Sequence, residues 1–469
     1  MKVHKKFSVL APLAAALSLS ACISLAPDYH RPQAPVAASF PGSAAADAAG
    51  KAAAATAWQD FFSDARLRQL IEIALANNRD LRLAVLNIEQ ARAQFQIRRA
   101  DQLPTVSAGL SGNRQPGTTG GISSVYSAGL LVTAYELDFF GRVRSLTEAA
   151  QAQYFATEEA RKNVQISLIA SVANAYLSLL ADEELLALTK KTLAGREESY
   201  KLIKLKFDNG AASELDLRQA ESLVEVARAT LAQQQRQRAL DENALVLLIG
   251  QPLPAPLPEG VTLASTTMGP ELPAGLPSDL LQNRPDIRQA ELQLIAANAN
   301  IGAARAAFFP RISLTGSAGS ASTELGGLFK NGSFVWTFAP QALLTIFDAG
   351  RNQAGLEGAR AGRDVAVAQY EKSIQIAFRE VADALAGRAT FGDQLRAQQA
   401  QAEAEGVRFK LSELRYQNGV ASYLDLLDAQ RSLFAAQQAE VQTRLAMMQN
   451  RVGLYKVLGG GWSEGALKD

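Results

Sequence analysis

The chain has 469 residues with one cysteine and two histidines, and its 47 basic and 46 acidic side chains nearly cancel. One cysteine makes neither an internal disulfide nor a cysteine-based zinc site, and histidines at positions 4 and 30 alone leave the rest of the chain without an imidazole base. The balanced charge gives no basic footprint for nucleic acid, and a composition rich in Ala, Leu, Gln and Arg with 7% aromatics is that of long helices.

Residues 1–21 have the layout of an export signal: Lys2, Lys5 and Lys6, an apolar run from Phe7 to Leu19, then small residues. The run ends in Leu19-Ser20-Ala21-Cys22, which matches the lipobox of bacterial lipoproteins, where cleavage leaves an amino-terminal cysteine carrying an S-diacylglycerol and an N-palmitoyl chain. An ordinary signal peptide with an incidental cysteine is the alternative. Processing would remove three basic side chains and no acidic one, turning the formal charge from +1 to −2. Ile23 follows the cysteine in place of an aspartate, which points to the outer membrane. Residues 22–63 then form an amino-terminal extension. No later segment reaches about 18 uninterrupted apolar residues. The best competitor, Val164 to Ala181, carries Gln165, Ser167, Ser171 and Asn174 and reads as a buried helix.

Sliding the chain against itself exposes an internal repeat. With an offset of 206, Asn77 falls on Asn283 and Asp80-Leu81-Arg82 on Asp286-Ile287-Arg288; Pro104 falls on Pro310. With an offset of 209, Gly141-Arg142 falls on Gly350-Arg351, Phe207-x-Asn209-Gly210 on Tyr416-x-Asn418-Gly419, and Asp216 on Asp425. The repeats span about 64–262 and 263–458, and 459–469 reads as a flexible tail that leaves the last helix through Gly459–Gly461.

Each repeat reads as helix, two strands, long helix, tight turn, helix. Helical spacing of Leu67, Leu70, Ile71, Leu75, Leu81, Val85 and Ile88 predicts one helix from Asp64 to Leu103, ended by Pro104. Alternation predicts strands within about 105–135, at Thr105–Gly112 and Ser123–Tyr135, across a connection rich in Gly, Ser, Thr and Pro. The equivalents within 311–344 are Arg311–Ser320 and Phe334–Leu344. Two helical hairpins follow, at about 141–249 and 350–458. Their first arms keep a 3.6-residue period for about 65 residues, roughly 100 Å of helix. Such helices must pack sideways on others in water. Asn209-Gly210 and Asn418-Gly419 supply left-handed ends, and Ser213 and Ser422 stand as N-caps.

Four strands of about ten residues have the length that spans an outer membrane, but a closed barrel needs about eight or more. An open edge cannot face lipid. Several chains must therefore contribute strands, unless the four form a small soluble β-layer between helices.

At this point the sequence resembles the TolC-like outer-membrane efflux proteins, within them the lipoprotein branch called NodT- or OprM-like. The resemblance runs from Ala26-Pro27-Asp28-Tyr29-x-Arg31-Pro32 to Leu454-Tyr455-Lys456-x-Leu458-Gly459-Gly460-Gly461-Trp462. Its most specific segments are Arg284-Pro285-Asp286-Ile287-Arg288, Phe309-Pro310, and Tyr416-x-Asn418-Gly419 through Leu427-Asp428-Ala429-Gln430-Arg431. It implies a mixed α+β membrane protein: a homotrimer with a twelve-stranded β-barrel, four strands per chain, continuous with a periplasmic α-barrel. It implies a periplasmic adaptor and an inner-membrane pump of the RND type as partners, and the outer membrane of a Gram-negative bacterium as location. It also implies a periplasmic gate at Leu424, Asp425, Asp428 and Arg431, with Tyr416 tying neighbouring hairpins and Asn418, Gly419, Asn209, Gly210 and Asp216 at the hairpin tips. The chain departs from some members at Ala421, where they carry an arginine.

The chemistry of those residues stands apart from the resemblance. Asp425 and Asp428 lie three apart on a helix and share nearly one face. Around a symmetry axis each becomes a ring of like charge, which attracts cations and needs countercharges such as Arg431 or Arg415. The alternative is that both are solvated acids favoured by the helix dipole. Arg142 and Arg351 read as structural. The glycine clusters at Gly109–Gly121 and Gly316–Gly332 suit strands and loops. No phosphate loop, dinucleotide fingerprint, His-Glu-x-x-His or Gly-x-Ser-x-Gly occurs, so no cofactor and no covalent chemistry are expected. The expected function is an exit channel for small toxic molecules. The alternatives are the duct of a protein-secretion system and a structural envelope lipoprotein.

Overall fold

The computed structural model describes residues 24–40, 53–116, 120–255, 258, 260–269, 272–273 and 277–462. Cys22, the signal segment and most of the expected tail lie outside the described residues. In chain order the main elements are α1 (Ala65–Asn77), α2 (Arg79–Ala100), β1 (Val106–Pro116), β2 (Ile122–Glu136), α3 (Arg142–Asp208) and α4 (Glu214–Ile249). After these come α5 (Pro285–Ala306), β3 (Arg311–Ser322), β4 (Phe334–Leu343), α6 (Arg351–Gln417) and α7 (Tyr423–Val457). Both long arms, α3 and α6, have 67 residues.

The chain divides into two compact units, and α3 and α6 contribute residues to both. The first unit holds the sheet, a meander in the order β1-β2-β3-β4 with all neighbours antiparallel. Register assembles one apolar face across all four strands. Ala108 pairs with Leu130, Leu130 with Ala318, and Ala318 with Trp336; one pair along, Val106, Val132, Gly316 and Phe338 align. Leu110, Leu130, Phe334, Trp336 and Phe338 on this face are all more than half exposed. The opposite face carries hydroxyl pairs, Ser111 with Ser127 and Ser317 with Thr337, each at 2.7 Å. The strands run further than the alternation suggested: Pro116 pairs with Ile122, so the connection is short. Ser111 and Ser123 are strand residues on the polar face, where small side chains suffice. Gly129 and Gly319 face each other so closely that a Cβ on Gly129 would lie 2.5 Å from the Ala318 carbonyl oxygen. At the joint between sheet and helix, Glu136 accepts from Arg142 at 2.8 and 2.6 Å and pairs with Arg311 at 2.7 Å. Arg142 is thus structural.

An amino-terminal strap belongs to the same unit. Arg31 makes a bidentate pair with the buried Glu291 of α5 at 2.6 and 2.8 Å, Tyr29 donates to it at 3.0 Å, and Arg305 donates to the Leu25 carbonyl at 2.9 Å.

The second unit has its core around Trp58, Phe61, Phe62, Leu67, Leu70 and Ile71, packed with Tyr176 and Tyr455; Phe61 stacks on Tyr455 at 4.2 Å. Asp64 caps α1 and also accepts from Tyr176 at 2.7 Å. The apolar part of α3 long enough to cross a membrane is mostly buried here, with Ile169, Val172, Ala173, Tyr176 and Leu177 nearly inaccessible.

The single helix expected from Asp64 to Leu103 is two helices. Asn78 breaks it with extended backbone (ψ 133°), because its side chain does two other things. Its Oδ1 caps α2 by accepting from Leu81 N at 2.9 Å, and its Nδ2 donates to the Leu248 carbonyl near the end of α4 at 2.9 Å. An equivalent tie recurs in the second repeat: Arg284, held by Asp286 and Glu380, donates to the Val457 carbonyl at 3.2 Å. The glycines after α4 and α7, Gly250 and Gly459, both have positive φ and both sit against the backbone of an asparagine, Asn77 and Asn283. Gly459–Gly461 are therefore no loose exit. They are buried, and the Gly461 carbonyl accepts from Gln165 at 3.1 Å. Replacing Asn78 with Ala removes a cap and orphans a partly buried carbonyl, an expected loss of about 2 kcal/mol. Hydrogen exchange at the start of α2 and the end of α4 reads it, and unchanged protection at both ends contradicts the tie.

Candidate gate at the hairpin tips

The two tips are built by the same local rules. After α3, Gly210 takes φ 72°, Ala211 N donates to Lys206 O at 2.7 Å and Gly210 N to Phe207 O at 2.9 Å. After α6, Gly419 takes φ 71°, with Val420 N to Arg415 O at 2.9 Å and Gly419 N to Tyr416 O at 3.0 Å. Both are left-handed caps that use up the last helical carbonyls. The asparagines reinforce them: Asn209 and Asn418 each donate from Nδ2 to the carbonyl four residues back, at 2.7 Å. Ser213 and Ser422 then open α4 and α7 with full capping boxes whose acids are Asp216 and Asp425. Asp425 is occupied by the turn, its carboxylate 2.9 Å from Ser422 Oγ.

The hairpins pack on each other within the second unit. Ile203, Leu217, Ala220 and Leu223 of the first meet Tyr423 and Leu427 of the second, with Phe207, Tyr416 and Leu426 at the margin. Polar contacts at the tips also join them. Lys206 sits 4.6 Å from the centre of the Tyr416 ring and donates to its hydroxyl at 3.3 Å. Ser199 Oγ and the Tyr423 hydroxyl are 3.0 Å apart, and within the second hairpin the Tyr416 and Tyr423 rings lie 5.4 Å apart. Burial raises the Tyr423 phenol above its ordinary value, which keeps it neutral and able to donate.

Burying Tyr423 and Leu427 turns the rest of the first α7 turns outward. Leu424 is 52% exposed, and Asp425, Asp428 and Arg431 are exposed as well. Leu424, Asp428 and Arg431 follow at four- and three-residue spacing and form one stripe. The partner of Asp428 is neither Arg431 nor Arg415. It is Arg408 of α6, at 2.5 Å, which is also 3.1 Å from Glu405. The hydrogen bonds that Arg408 donates to Asp428 and Glu405 raise its guanidinium pKa above the ordinary value. Arg408 takes this place because it lies on the antiparallel arm, twenty residues upstream, where Arg415 is too close to the turn to reach back.

Arg431 instead faces another cation. Arg196 of α3 is buried, donates to the Leu223 carbonyl at 3.1 Å and lies 5.5 Å from the Phe434 ring centre. Burial lowers its pKa, and the charge of Arg431 lowers it further. Arg196, Ser199, Lys206 and Arg408 carry no motif and were not anticipated from sequence; only the pairing of antiparallel arms brings them to the tips. Among the described residues no cluster of metal-ligating side chains occurs.

The model of outer membrane efflux proteins matches residues 70–251 and 276–460. The chain belongs to this outer membrane efflux protein family. Among its relatives is the toluene efflux pump outer membrane protein TtgC of Pseudomonas putida, 51% identical over 467 residues, which cover 97% of this chain and 96% of the relative. The outer membrane protein OprJ of Pseudomonas aeruginosa is 48% identical, with 96% and 95% covered. The open-state MtrE outer membrane channel of Neisseria gonorrhoeae superposes with a TM-score of 0.87 at 43% identity, over 94% of this chain and 99% of that one. The fold is thus that of the family's outer-membrane channels, and the tips described here are the ends of its long hairpins.

Replacing Ser422 with Ala removes one half of the capping box and frees Asp425. The expected cost is about 1 kcal/mol, read as faster hydrogen exchange in the first turn of α7 while α4 is unaffected. Equal exchange in both proteins contradicts the capping role.

Proposed function

We propose that this protein is the outer-membrane exit channel of a tripartite efflux pump, a homotrimer that conducts small toxic organic molecules delivered by a periplasmic adaptor and an inner-membrane pump of the RND type. The observation that carries this reading is the open four-stranded sheet of an efflux-family chain. Its β1 and β4 are end strands, and its exposed apolar face is of the kind that lipid covers. Three copies bring twelve strands, an even number of the size that closes a membrane barrel. Relatives named for toluene, solvent and antibiotic efflux support small organic cargo. The channel does no covalent chemistry; its work is docking, opening and conduction.

Cys22 is the lipid anchor in this reading. Arg305 holds the Leu25 carbonyl at the end of α5, a few residues before β3 begins. Three residues of chain span about 10 Å at most, which supports an anchor close to the foot of the strands. Leu424, Asp428 and Arg431 form the periplasmic gate. The Arg408–Asp428 pair is exposed, so it is a weak and salt-sensitive latch of the kind that can open without a large barrier. The buried tyrosine contacts keep the two hairpins together while that latch changes partners.

In planar bilayers Asp428→Ala is expected to raise single-channel conductance severalfold or shorten the closed state. Conductance and cation preference unchanged across pH sink the gate assignment. Cys22→Ser is expected to abolish labelling by radioactive palmitate, and normal labelling of that variant overturns the lipid anchor.

A further inference from the structure

Halfway along the first hairpin, two carboxyl groups face each other across the helix pair. Asp182 of α3 is only 7% exposed, and the side chain of Asp241 of α4 is within hydrogen-bonding reach of it. Asp182 Oδ2 is fully buried and receives no N–H or hydroxyl hydrogen. The cations nearby are engaged elsewhere. Arg238, whose positive charge acts on Asp182, is 2.8 Å from Glu242 and 3.3 Å from Glu183. Arg444 of α7 pairs with Glu184 at 3.3 Å and with Glu440 at 2.5 Å. Glu183, on the same helix as Asp182, adds a further negative charge. Gln237 donates to Asp241 Oδ1 at 3.2 Å and so satisfies only that oxygen.

Two ionised carboxylates in contact repel, and a buried carboxylate oxygen without a donor, as at Asp182, loses its solvation outright. One proton between them removes both penalties by making a carboxylic acid that donates to its neighbour. We propose that Asp182 and Asp241 bind a single shared proton and form a pH-sensitive brace that fastens α3 to α4. The two halves of the chain differ here. The positions 209 residues further on are Phe391 and Asn450, and Asn450 donates to the Ala384 carbonyl at 3.0 Å. The second hairpin therefore lacks this pair at the equivalent positions.

Burial and the Asp241 carboxyl push Asp182 up to about 7 from an ordinary 3.8. The sign follows. The folded protein holds this proton more tightly than the unfolded chain, so the stabilisation is complete at low pH and is lost as pH rises from about 4 through about 7. The background is quiet there, because the only histidines are His4 and His30. The brace lies 27 residues, about 40 Å of helix, from the tip at Asn209, where Lys206 grips Tyr416. Loss of the proton spreads the arms of the first hairpin and weakens its hold on the second.

Difference infrared spectroscopy on the full-length protein between about pH 5.5 and 8.5 tests this. The wild type should lose a protonated-carboxyl stretch with a midpoint near neutrality. Asp182→Asn and Asp241→Asn should each lack that change, and His30→Gln should keep it. Hydrogen exchange across α3 and α4, corrected for intrinsic rates, should show opening about tenfold more frequent at the higher pH in the wild type and no pH dependence in Asp182→Asn. If one asparagine variant fails to assemble, the other carries both measurements. A stretch that persists in either assembled variant, that is missing from the wild type, or that disappears with His30→Gln overturns the shared proton. Parallel exchange profiles in wild type and variant overturn the brace.

Discussion

The structure depends on one unmet requirement: backbone N–H and C=O groups at the edge of a sheet cannot be left facing lipid. The chain makes four strands and no more among the described residues, in a simple meander that ends at β1 and β4. Its apolar face is continuous and exposed, its opposite face is lined with serine and threonine, and neither fact suits a sheet that works alone. Both fit a sector of a barrel with an oily outside and a wet inside. In the proposed trimer, pairing β4 of one copy with β1 of the next would satisfy both edges at once.

In the proposed gate the tips meet the opposite demand, to hold together and yet come apart. Their design separates those tasks. Apolar packing of Ile203, Leu217, Leu223, Tyr423 and Leu427 joins the hairpins of one chain and needs no charge. The charged groups are turned outward, and Asp428 is held only by an exposed arginine. Arg196, buried without a carboxylate, presses its charge toward Arg431 and opposes any inward swing of that side chain. Capping boxes fix the starts of α4 and α7. The carboxyl pair halfway along the first hairpin bears on the arms themselves.

Much of this was legible in the sequence. The offsets of 206 and 209 predicted two matching sets of elements, and the Asn-Gly turns and serine caps appear where local chemistry put them, because a left-handed residue and a capping hydroxyl act over three or four residues. The helix break at Asn78 was hidden for the same reason in reverse. Its cause is the Leu248 carbonyl, 170 residues away, which no local pattern displays. Arg408 was hidden likewise: the sequence offered Arg415 and Arg431 as partners of Asp428 by proximity, whereas antiparallel arms bring together residues equally distant from the turn.

By itself the sequence determined the period of each element, the turns that separate them, the strand count that cannot close a barrel, and the family to which the chain belongs. These follow from short-range rules of hydrophobic spacing and backbone conformation, and from simple counting. Only the tertiary structure decided which charges meet. The Arg408–Asp428 latch, the Lys206–Tyr416 grip, the buried Arg196 and the Asp182–Asp241 pair all join residues on different helices. Electrostatic partnership is set by distance through space, and that distance exists only once the hairpins have packed.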